Sequence, residues 1–232
     1  MKHSKPTERT KVKVVLPGDT VSLDVTTPGI ILGPGLIQAG DSISCTKAGF
    51  LVRSGPTYWV ENDQKRYIPE TSEHVVGRIS GKGGEFYRVD IGSAHQAILP
   101  FLAFENATKK NRPNLNIGDL IYARVALANK DMDPELQCYN PTNNKAEGFG
   151  KLEGGMVLKC SLRYCQRLLT QETDICKLLG QVLQFEVSIG MNGRVWLSSD
   201  TIKHISLVYN VLKQAEALNN SECKALVNNL VV

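Results

Sequence analysis

Several features that would assign a chain to a common class are missing from this sequence of 232 residues. No apolar run approaches the length of a membrane-spanning helix, and the start, MKHSKPTERTK, lacks the apolar segment of a signal peptide. We therefore expect a soluble, intracellular protein with no membrane partner. A strong charge is missing too, because the net charge is +4 and the pI about 8.7. This balance is compatible with nucleic acid but does not fit a protein that coats it.

The cysteines lack a metal-binding pattern. They include no C-x-x-C pair and no histidine at zinc-finger spacing. We therefore expect reduced, mostly buried thiols, no bound metal and no cofactor. The six positions are Cys45, Cys138, Cys160, Cys165, Cys176 and Cys223.

Catalytic motifs are also missing. None of the four histidines lies beside a serine, cysteine or carboxylate in a nucleophile motif such as G-x-S-x-G. Asp131, Asp133 and Glu135 alternate in the segment DMDPE and could share a divalent ion, as in a metal-dependent nuclease. Pro134 and the lack of a second carboxylate cluster argue against that chemistry. We expect no catalytic residue.

The most informative stretch, residues 75–129, has the pattern of a small β-barrel. VVGRIS, a Gly-Lys-Gly-Gly turn and EFYRVDIGS follow one another as a hairpin, because glycine supplies the positive φ that a tight turn requires. In the second strand, alternation separates a face with Phe86, Arg88 and Asp90 from a face with Tyr87, Val89 and Ile91. We expect the second face to enter a core and the first to carry charge.

Further short strands complete this barrel. An apolar run at residues 97–99, the loop NATKKNRPN, the alternating segment NIGDLIYARVALAN and a strand ending near Cys138 bring the number to about five. Five strands with a Gly-rich hairpin and a long polar loop favour an oligonucleotide-binding (OB) fold, which binds single-stranded nucleic acid. The cations predicted to contact the RNA backbone are Lys82, Arg88, Lys109, Lys110 and Arg112.

The pattern divides the chain into three domains. Residues 1–72 are expected to form a small β-rich domain, residues 73–150 the OB-fold domain, and residues 151–232 a mixed domain. In the first, KVKVVLPGDTVSLDV alternates as two strands around a Pro-Gly-Asp turn, and TYWVENDQKRYIP predicts a hairpin with Asn62 and Asp63 in its turn. The predicted fold class is mostly β, with an α+β C-terminal part.

The last domain has the element order of a type I-like KH domain. Strand, helix, helix, strand, strand and helix follow one another, with the second helix predicted to stop at Gly180 and the long third helix to be capped by Ser199 or Asp200. KH domains grip nucleic-acid backbone with a G-x-x-G loop between the first two helices. Here that place reads Thr-Gln-Glu-Thr at residues 170–173, so the usual clamp is absent.

A G-x-x-G sequence does occur in this domain, but between two strands. Asn-Gly within the segment GMNG has the chemistry of a hairpin turn. We expect Gly190, Asn192 and Gly193 to shape this turn and to seat the domain on its neighbour, without holding phosphate. Trp196 on the following strand is expected to lie in a core or a domain interface.

These motifs together carry a family resemblance. VVLPGD, ATKKNRPNLNIGDLIYARV with ANKDMDPE in an S1-type barrel, and GMNGRVWL in a KH domain resemble the cap subunits of the eukaryotic RNA exosome over nearly the whole chain. The resemblance implies a non-catalytic protein that sits with other cap proteins on a ring of RNase-PH-like subunits. It also implies that RNA passes the barrels into a central channel, and that the G-x-N-G motif is buried between the barrel and the KH domain. Nuclear, nucleolar and cytoplasmic locations follow as expectations.

A function of a different class stays open at this point. The chain would then be a freestanding RNA-binding factor whose barrel binds RNA without any ring. The cap hypothesis requires stable association with ring subunits, whereas the alternative requires tight RNA binding by the chain alone.

Overall fold

The structure is a computed structural model that describes residues 10–22, 29–40, 42–108, 110–111, 113–129, 131–170 and 173–228, except for the side chains of residues 11 and 12. Its contacts divide the chain into two compact units, Met1–Gln64 and Lys65–Val232. Within the described ranges, every helix is too short or too polar to cross a membrane. The domain limits proposed from the sequence, at 72/73 and 150/151, stay predictions.

The first unit is built from β-strands, as predicted. Its described residues form β1 (Thr10–Val15), β2 (Thr20–Val21), β3 (Ile31–Leu32), β4 (Leu36–Ala39), β5 (Ser42–Cys45), β6 (Gly49–Ser54) and β7 (Thr57–Glu61). One sheet has the order β1-β6-β7-β3 and the other the order β2-β5-β4. Apolar side chains from both sheets, including Val15, Leu51 and Tyr58, are buried in one core.

One local prediction for this unit is wrong. The hairpin around Asn62 and Asp63 does not form, because β7 pairs with β6 and β3 instead. The turn between β6 and β7 contains Gly55, whose φ of +58° permits the tight reversal. Tyr67, assigned to the missing hairpin, is buried in the core of the second unit. Apolar packing therefore outweighs a turn signal that Asn and Asp carry only locally.

The second unit contains a closed barrel. Its strands are β8 (His74–Lys82), β9 (Phe86–Asp90), β10 (Ala97–Pro100), β11 (Leu120–Leu127) and β12 (Glu135–Gln137), with β13 (Gly150–Leu152) paired to β11 outside the closure. They follow the order β8-β9-β10-β12-β11, and β11 pairs with β8 to close the barrel. β10 and β12 are parallel, whereas β8, β9 and β11 pair antiparallel to their neighbours. This arrangement is an OB fold, as predicted.

The KH domain follows in the same unit. Its elements are β14 (Met156–Lys159), α1 (Leu162–Leu169), α2 (Ile175–Val182), β15 (Glu186–Gly190), β16 (Arg194–Ser198), α3 (Ile202–Ala215) and α4 (Asn220–Asn228). The antiparallel sheet has the order β14-β16-β15. Side chains from the sheet and the helices, among them Leu158, Leu179 and Leu212, are fully buried between them. The predicted α+β class of this part is confirmed.

Two helix boundaries differ from the predictions. Gly180 lies inside α2, which continues to Val182, because burial of Leu179 holds the backbone in the helix past the glycine. The N-cap of α3 is Thr201, whose Oγ1 accepts a hydrogen bond from the backbone N–H of His204 at 3.3 Å. Thr201 is therefore the N-cap of α3, whereas Ser199 or Asp200 was predicted to cap this helix.

Candidate nucleic-acid interface

The strands β8 and β9 carry two of the predicted cations. Arg88 is exposed in β9 between the buried side chains of Tyr87 and Val89, and it pairs across the sheet with Gly81. Lys82 is exposed at the end of β8. The predicted alternation of this strand is confirmed, so Arg88 lies on the outer face of the barrel and Lys82 at the adjoining rim.

The long loop between β10 and β11 is held against this rim. The Tyr87 hydroxyl donates to the carbonyl oxygen of Pro113 at 2.7 Å and accepts from the N–H of Leu115 at 3.2 Å. Lys82 Nζ donates to Asn114 Oδ1 at 3.2 Å. These bonds bring residues 113–115 of the loop to the end of the barrel that carries Lys82.

The predicted RNA-binding residues fall into two groups. Lys82 and Arg88 lie on neighbouring strands, and Lys110 is exposed in the loop that Lys82 and Tyr87 hold. Lys109 and Arg112 lie outside the described residues. A role in RNA binding stays a prediction for all of these cations.

Two more side chains on this surface were not among the predicted RNA-binding residues, although the sequence analysis placed one of them, Phe86, on the face of Arg88. Arg78 is exposed on β8 and pairs across the sheet with Asp90 of β9. Phe86 is half-buried at the start of β9, with the Arg88 guanidinium 6.0 Å from the centre of its ring. An exposed aromatic ring can stack on a base, and a cation beside it can attract the phosphate. The alternation that selects Arg88 would also have selected Arg78.

Beside this face, a polar side chain connects the KH domain to the barrel. Asn192 is 7% exposed and lies in the turn between β15 and β16. Its Oδ1 accepts from the N–H of Val76 at 3.1 Å, and its Nδ2 donates to the carbonyl oxygens of Val76 and Ile91, each at 2.9 Å. Asn192 thus bonds to barrel backbone that would otherwise be buried without partners.

The two glycines of the GMNG turn allow close packing, Gly190 against the barrel and Gly193 against Cys160 of the KH domain. Gly193 has a φ of +75°, and a Cβ there would lie 2.7 Å from the carbonyl oxygen of Cys160. A Cβ on Gly190 would lie 2.6 Å from the backbone nitrogen of Val76 and would also strike Asn192 Oδ1. Of the Asn-Gly pair only the glycine has a positive φ, so the turn differs from one with both residues left-handed.

Trp196 lies on the central strand of the KH sheet and is 5% exposed. Its indole Nε1 donates to the carbonyl oxygen of Gly154 at 3.0 Å. Gly154 belongs to the segment that leads from β13 of the barrel region into β14. The ring is therefore not available for stacking on a base.

An ion pair adds to the joint between barrel and KH domain. Arg194 of β16 donates to the carbonyl oxygen of Asp90 at 2.7 Å and to its Oδ2 at 3.0 Å. Partial burial alone would raise the pKa of the Asp90 carboxyl, but the N–H of Gly92 and the guanidinium groups of Arg194 and Arg78 hold that pKa below its usual range. Asp90 therefore stays ionised beside the cationic face. The sequence analysis missed Arg194, since no local pattern shows a partner 104 residues away.

Hydrogen bonds of Tyr122 and His74 complete the joint. The Tyr122 hydroxyl donates to the carbonyl oxygen of Ile189 at 3.3 Å and lies 3.2 Å from His74 Nδ1. The carbonyl oxygen of His74 accepts from the N–H of Met191 at 2.8 Å. Burial, and to a smaller extent the charge of Arg124, lowers the pKa of His74, which favours its neutral form.

The loop between α1 and α2, where KH domains usually have a G-x-x-G clamp, contains two threonines in its described part. Thr170 ends α1, and its Oγ1 donates to the carbonyl oxygen of Gln166 at 2.9 Å. Thr173 is 5% exposed. The residues between them, Gln171 and Glu172, lie outside the described residues.

The carboxylates and cysteines do not form a metal cluster in the described part of the chain. There, no group of three or more His, Cys, Asp or Glu side chains is placed to hold a metal ion. This includes Asp131, Asp133 and Glu135. All six cysteines are free. Four of them are buried, which confirms the expectation of mostly buried side chains.

Three family models match successive parts of the chain. Residues 30–66 match "Exosome complex exonuclease Rrp40 N-terminal domain", residues 67–150 match "Exosome complex component RRP40, S1 domain", and residues 155–203 match "KH domain". A solved crystal structure of an exosome-related RNA-binding protein matches with a TM-score of 0.60 and 22% identity, covering 72% of this chain and 95% of its own. At that identity, the structural match shows the fold alone.

Whole-chain relatives are more informative. Exosome complex component rrp40 of Schizosaccharomyces pombe is 41% identical over 225 residues, which cover 93% of this chain and 92% of the relative. Exosome complex component RRP40 of Homo sapiens is 36% identical, with 87% and 76% covered. The Saccharomyces cerevisiae protein of the same name is 33% identical, with 89% and 90% covered. Because identity at this level extends over most of both chains, the protein belongs to the exosome complex component RRP40 family.

Proposed function

We propose that the protein is a non-catalytic RNA-binding subunit of the exosome cap, which guides single-stranded RNA toward the central channel and stabilises the ring below it. The proposal is carried by family membership, since the relatives are named exosome complex components. An exposed cationic face on an OB barrel supports it. Its role would be in RNA processing and 3′-to-5′ decay, in nucleus, nucleolus and cytoplasm.

RNA is guided by electrostatic contacts with the backbone. Arg78, Lys82 and Arg88 are exposed on two adjacent strands, and Lys110 extends the same charge into the neighbouring loop. Contacts with phosphates carry no sequence information, so the preference for particular bases is weak. The net charge of only +4 makes the affinity of the isolated chain modest and salt-dependent.

The remaining surfaces bind protein. The N-terminal unit and the KH domain contact RNase-PH-like ring subunits and the other cap proteins, while the bonded joint of Asn192 and Arg194 keeps the KH domain fixed to the barrel. A freestanding RNA-binding factor is not favoured, because the relatives carry the names of components of a complex. The chain performs no chemistry on RNA.

The test is RNA protection in a complex reconstituted with ring and cap subunits. The double variant Lys82→Glu/Arg88→Glu should assemble normally and protect single-stranded RNA less well, by about ten-fold or more in apparent affinity. Lys203→Glu/Lys224→Glu reverses the same charge on exposed positions of α3 and α4, and it serves as the matched control once co-migration with the ring subunits shows that it assembles. Equal protection by both double variants would contradict the assignment of the RNA face.

Catalysis is tested separately. The purified chain, supplied with Mg²⁺ or Mn²⁺, should leave a labelled single-stranded RNA intact. Cleavage that disappears when Asp131 and Asp133 are replaced by asparagine would contradict a non-catalytic role.

A further inference from the structure

A cavity opens at the end of the barrel away from the cationic rim. Its volume is about 380 Å³, which lies in the range of ligand pockets. The lining comes from three segments: residues 66–69, residues 93–95 after β9, and residues 128, 129, 132 and 134 after β11. β8 and β9 are antiparallel, so the turn beside Lys82 and the segment after Asp90 lie at opposite ends of the hairpin. The cavity is thus separate from the proposed RNA face.

The walls of this cavity are apolar and exposed. Ile68 and Met132, from two different segments, are 52% and 57% exposed. Large apolar side chains exposed together on a surface indicate a binding site, and methionine adapts its shape to different partners.

The floor is rigid. Tyr67 is 4% exposed in the barrel core, and its hydroxyl donates to Glu73 Oε2 at 2.5 Å. Pro134 is buried, and its carbonyl oxygen accepts from the N–H of Ile98 at 2.8 Å. A preformed pocket loses little conformational entropy when it is filled.

Charge and ring content distinguish between possible occupants. Arg66 lines the cavity. Among the described residues, no carboxylate forms an ion pair with it. The tyrosine ring of the floor is buried, and the exposed ring of the lining is the His95 imidazole, whose Nδ1 lies 4.0 Å from Asp133 Oδ1. The lining offers no larger Phe, Tyr or Trp face on which a base could stack. An aliphatic side chain with a nearby carboxylate matches both the apolar walls and the cation, whereas a nucleobase would have only the His95 imidazole to stack on.

We propose that this cavity is a docking site for a short segment of another protein, in which a large apolar side chain is followed within two residues by an acidic one. The apolar side chain fills the space between Ile68 and Met132, and the carboxylate pairs with Arg66. This site is independent of the proposed RNA face, and it can exist whether or not that face binds RNA.

The test uses the full chain and a defined array of eight-residue synthetic peptides. One position carries each apolar residue in turn, and the flanking positions carry acidic, basic or serine residues. The wild type should bind apolar-acidic peptides at least ten-fold more tightly than their serine or basic counterparts. Arg66→Glu should invert the charge preference, and Ile68→Asp or Met132→Ser should weaken binding at least ten-fold.

The controls separate this site from other surfaces. Ile202→Asp changes an apolar residue that is 81% exposed on α3, and it should leave peptide binding unchanged. Lys82→Glu/Arg88→Glu should also leave it unchanged. An array without apolar-acidic preference, or a preference that survives Arg66→Glu, would overturn the proposal. So would an oligouridine probe that displaces the peptide and binds ten-fold more weakly to Met132→Ser, since the cavity would then belong to RNA.

Discussion

The joint between the barrel and the KH domain should depend strongly on the amide of Asn192. Replacing it with alanine removes one bond to the N–H of Val76 and two bonds to the carbonyl oxygens of Val76 and Ile91. Val76 is fully buried, so water cannot replace these bonds without opening the joint. The change therefore leaves three backbone groups without a partner.

The magnitude follows from that count. A buried hydrogen bond contributes about 0.5–1.5 kcal/mol net to stability. A buried donor or acceptor that loses its partner costs more than the average of that range. For the three bonds of Asn192, we expect Asn192→Ala to lower the free energy of unfolding of the second unit by about 2–4 kcal/mol. Asn210→Ala, an exposed change on α3, is the matched control and should be close to neutral.

Asn192→Asp adds a pH dependence of known sign. The new carboxylate would keep the acceptor for Val76 but would face two carbonyl oxygens where the amide donates. Burial and this repulsion raise the pKa of the aspartate in the folded state above its unfolded value of about 3.9. The variant should therefore be closest to the wild type below that pH, where its carboxyl can still donate one bond. It should lose stability as the pH rises toward neutrality.

The assay is urea unfolding followed by tryptophan fluorescence in a Trp59→Phe background. The chain has two tryptophans, and Trp59 lies in the first unit, so Trp196 alone then reports on the KH domain and its joint. Each variant is compared with the wild type at the same pH, which cancels the titration of groups common to both, such as Asp90 and His74. The reasoning is refuted if Asn192→Ala costs no more than Asn210→Ala, or if Asn192→Asp is equally stable at pH 4 and pH 7.

Three further substitutions test other contacts of this unit. Gly190→Ala should weaken the same joint, seen as a lower melting temperature with the Trp196 signal, because its Cβ would press on barrel backbone; an unchanged melting temperature would contradict the close approach. Arg194→Lys should cost about 1 kcal/mol, because lysine cannot reproduce the guanidinium fork. Since the pKa of Asp90 is depressed, this difference should be largest above the unfolded aspartate pKa and shrink as the pH falls through the lower pKa of the folded state, leaving only the bond to the Asp90 carbonyl oxygen; a difference unchanged in acid would count against the ion pair. Tyr67→Phe should raise the pKa of Glu73 further above its usual range, as measured by NMR titration, because burial already raises it and the tyrosine bond opposes that; no rise would contradict the bond.

The sequence was sufficient where a pattern repeats along a strand. Apolar residues on one side of β9 and Arg88 on the other are a direct consequence of the two-residue period, which also fixed the barrel as an OB fold. The same period would have placed Arg78 on the outer face. The KH element order was equally visible, because each element has its own apolar spacing.

Contacts between distant residues were not predictable in this way. Asn192 is a turn residue by its local chemistry, and nothing in the segment GMNG identifies Val76 or Ile91 as its partners, 116 and 101 residues away. For Tyr67 the local pattern gave a wrong prediction. The turn signal at Asn62 and Asp63 assigned it to a hairpin, whereas its side chain is buried in the barrel core. The cavity beside it was missed for the same reason, since its walls come from three separate segments.

The geometry of Asn192 also bears on which surface binds RNA. An asparagine amide has two N–H donors, and here Nδ2 donates to two barrel carbonyls while Oδ1 accepts from a barrel N–H. A phosphate at the GMNG turn would have to displace one of these bonds and open the joint. The loop between α1 and α2 has no glycine to replace it as a clamp. We therefore expect RNA affinity to follow the cations of the barrel face, and substitutions at Asn192 to change stability before they change RNA binding.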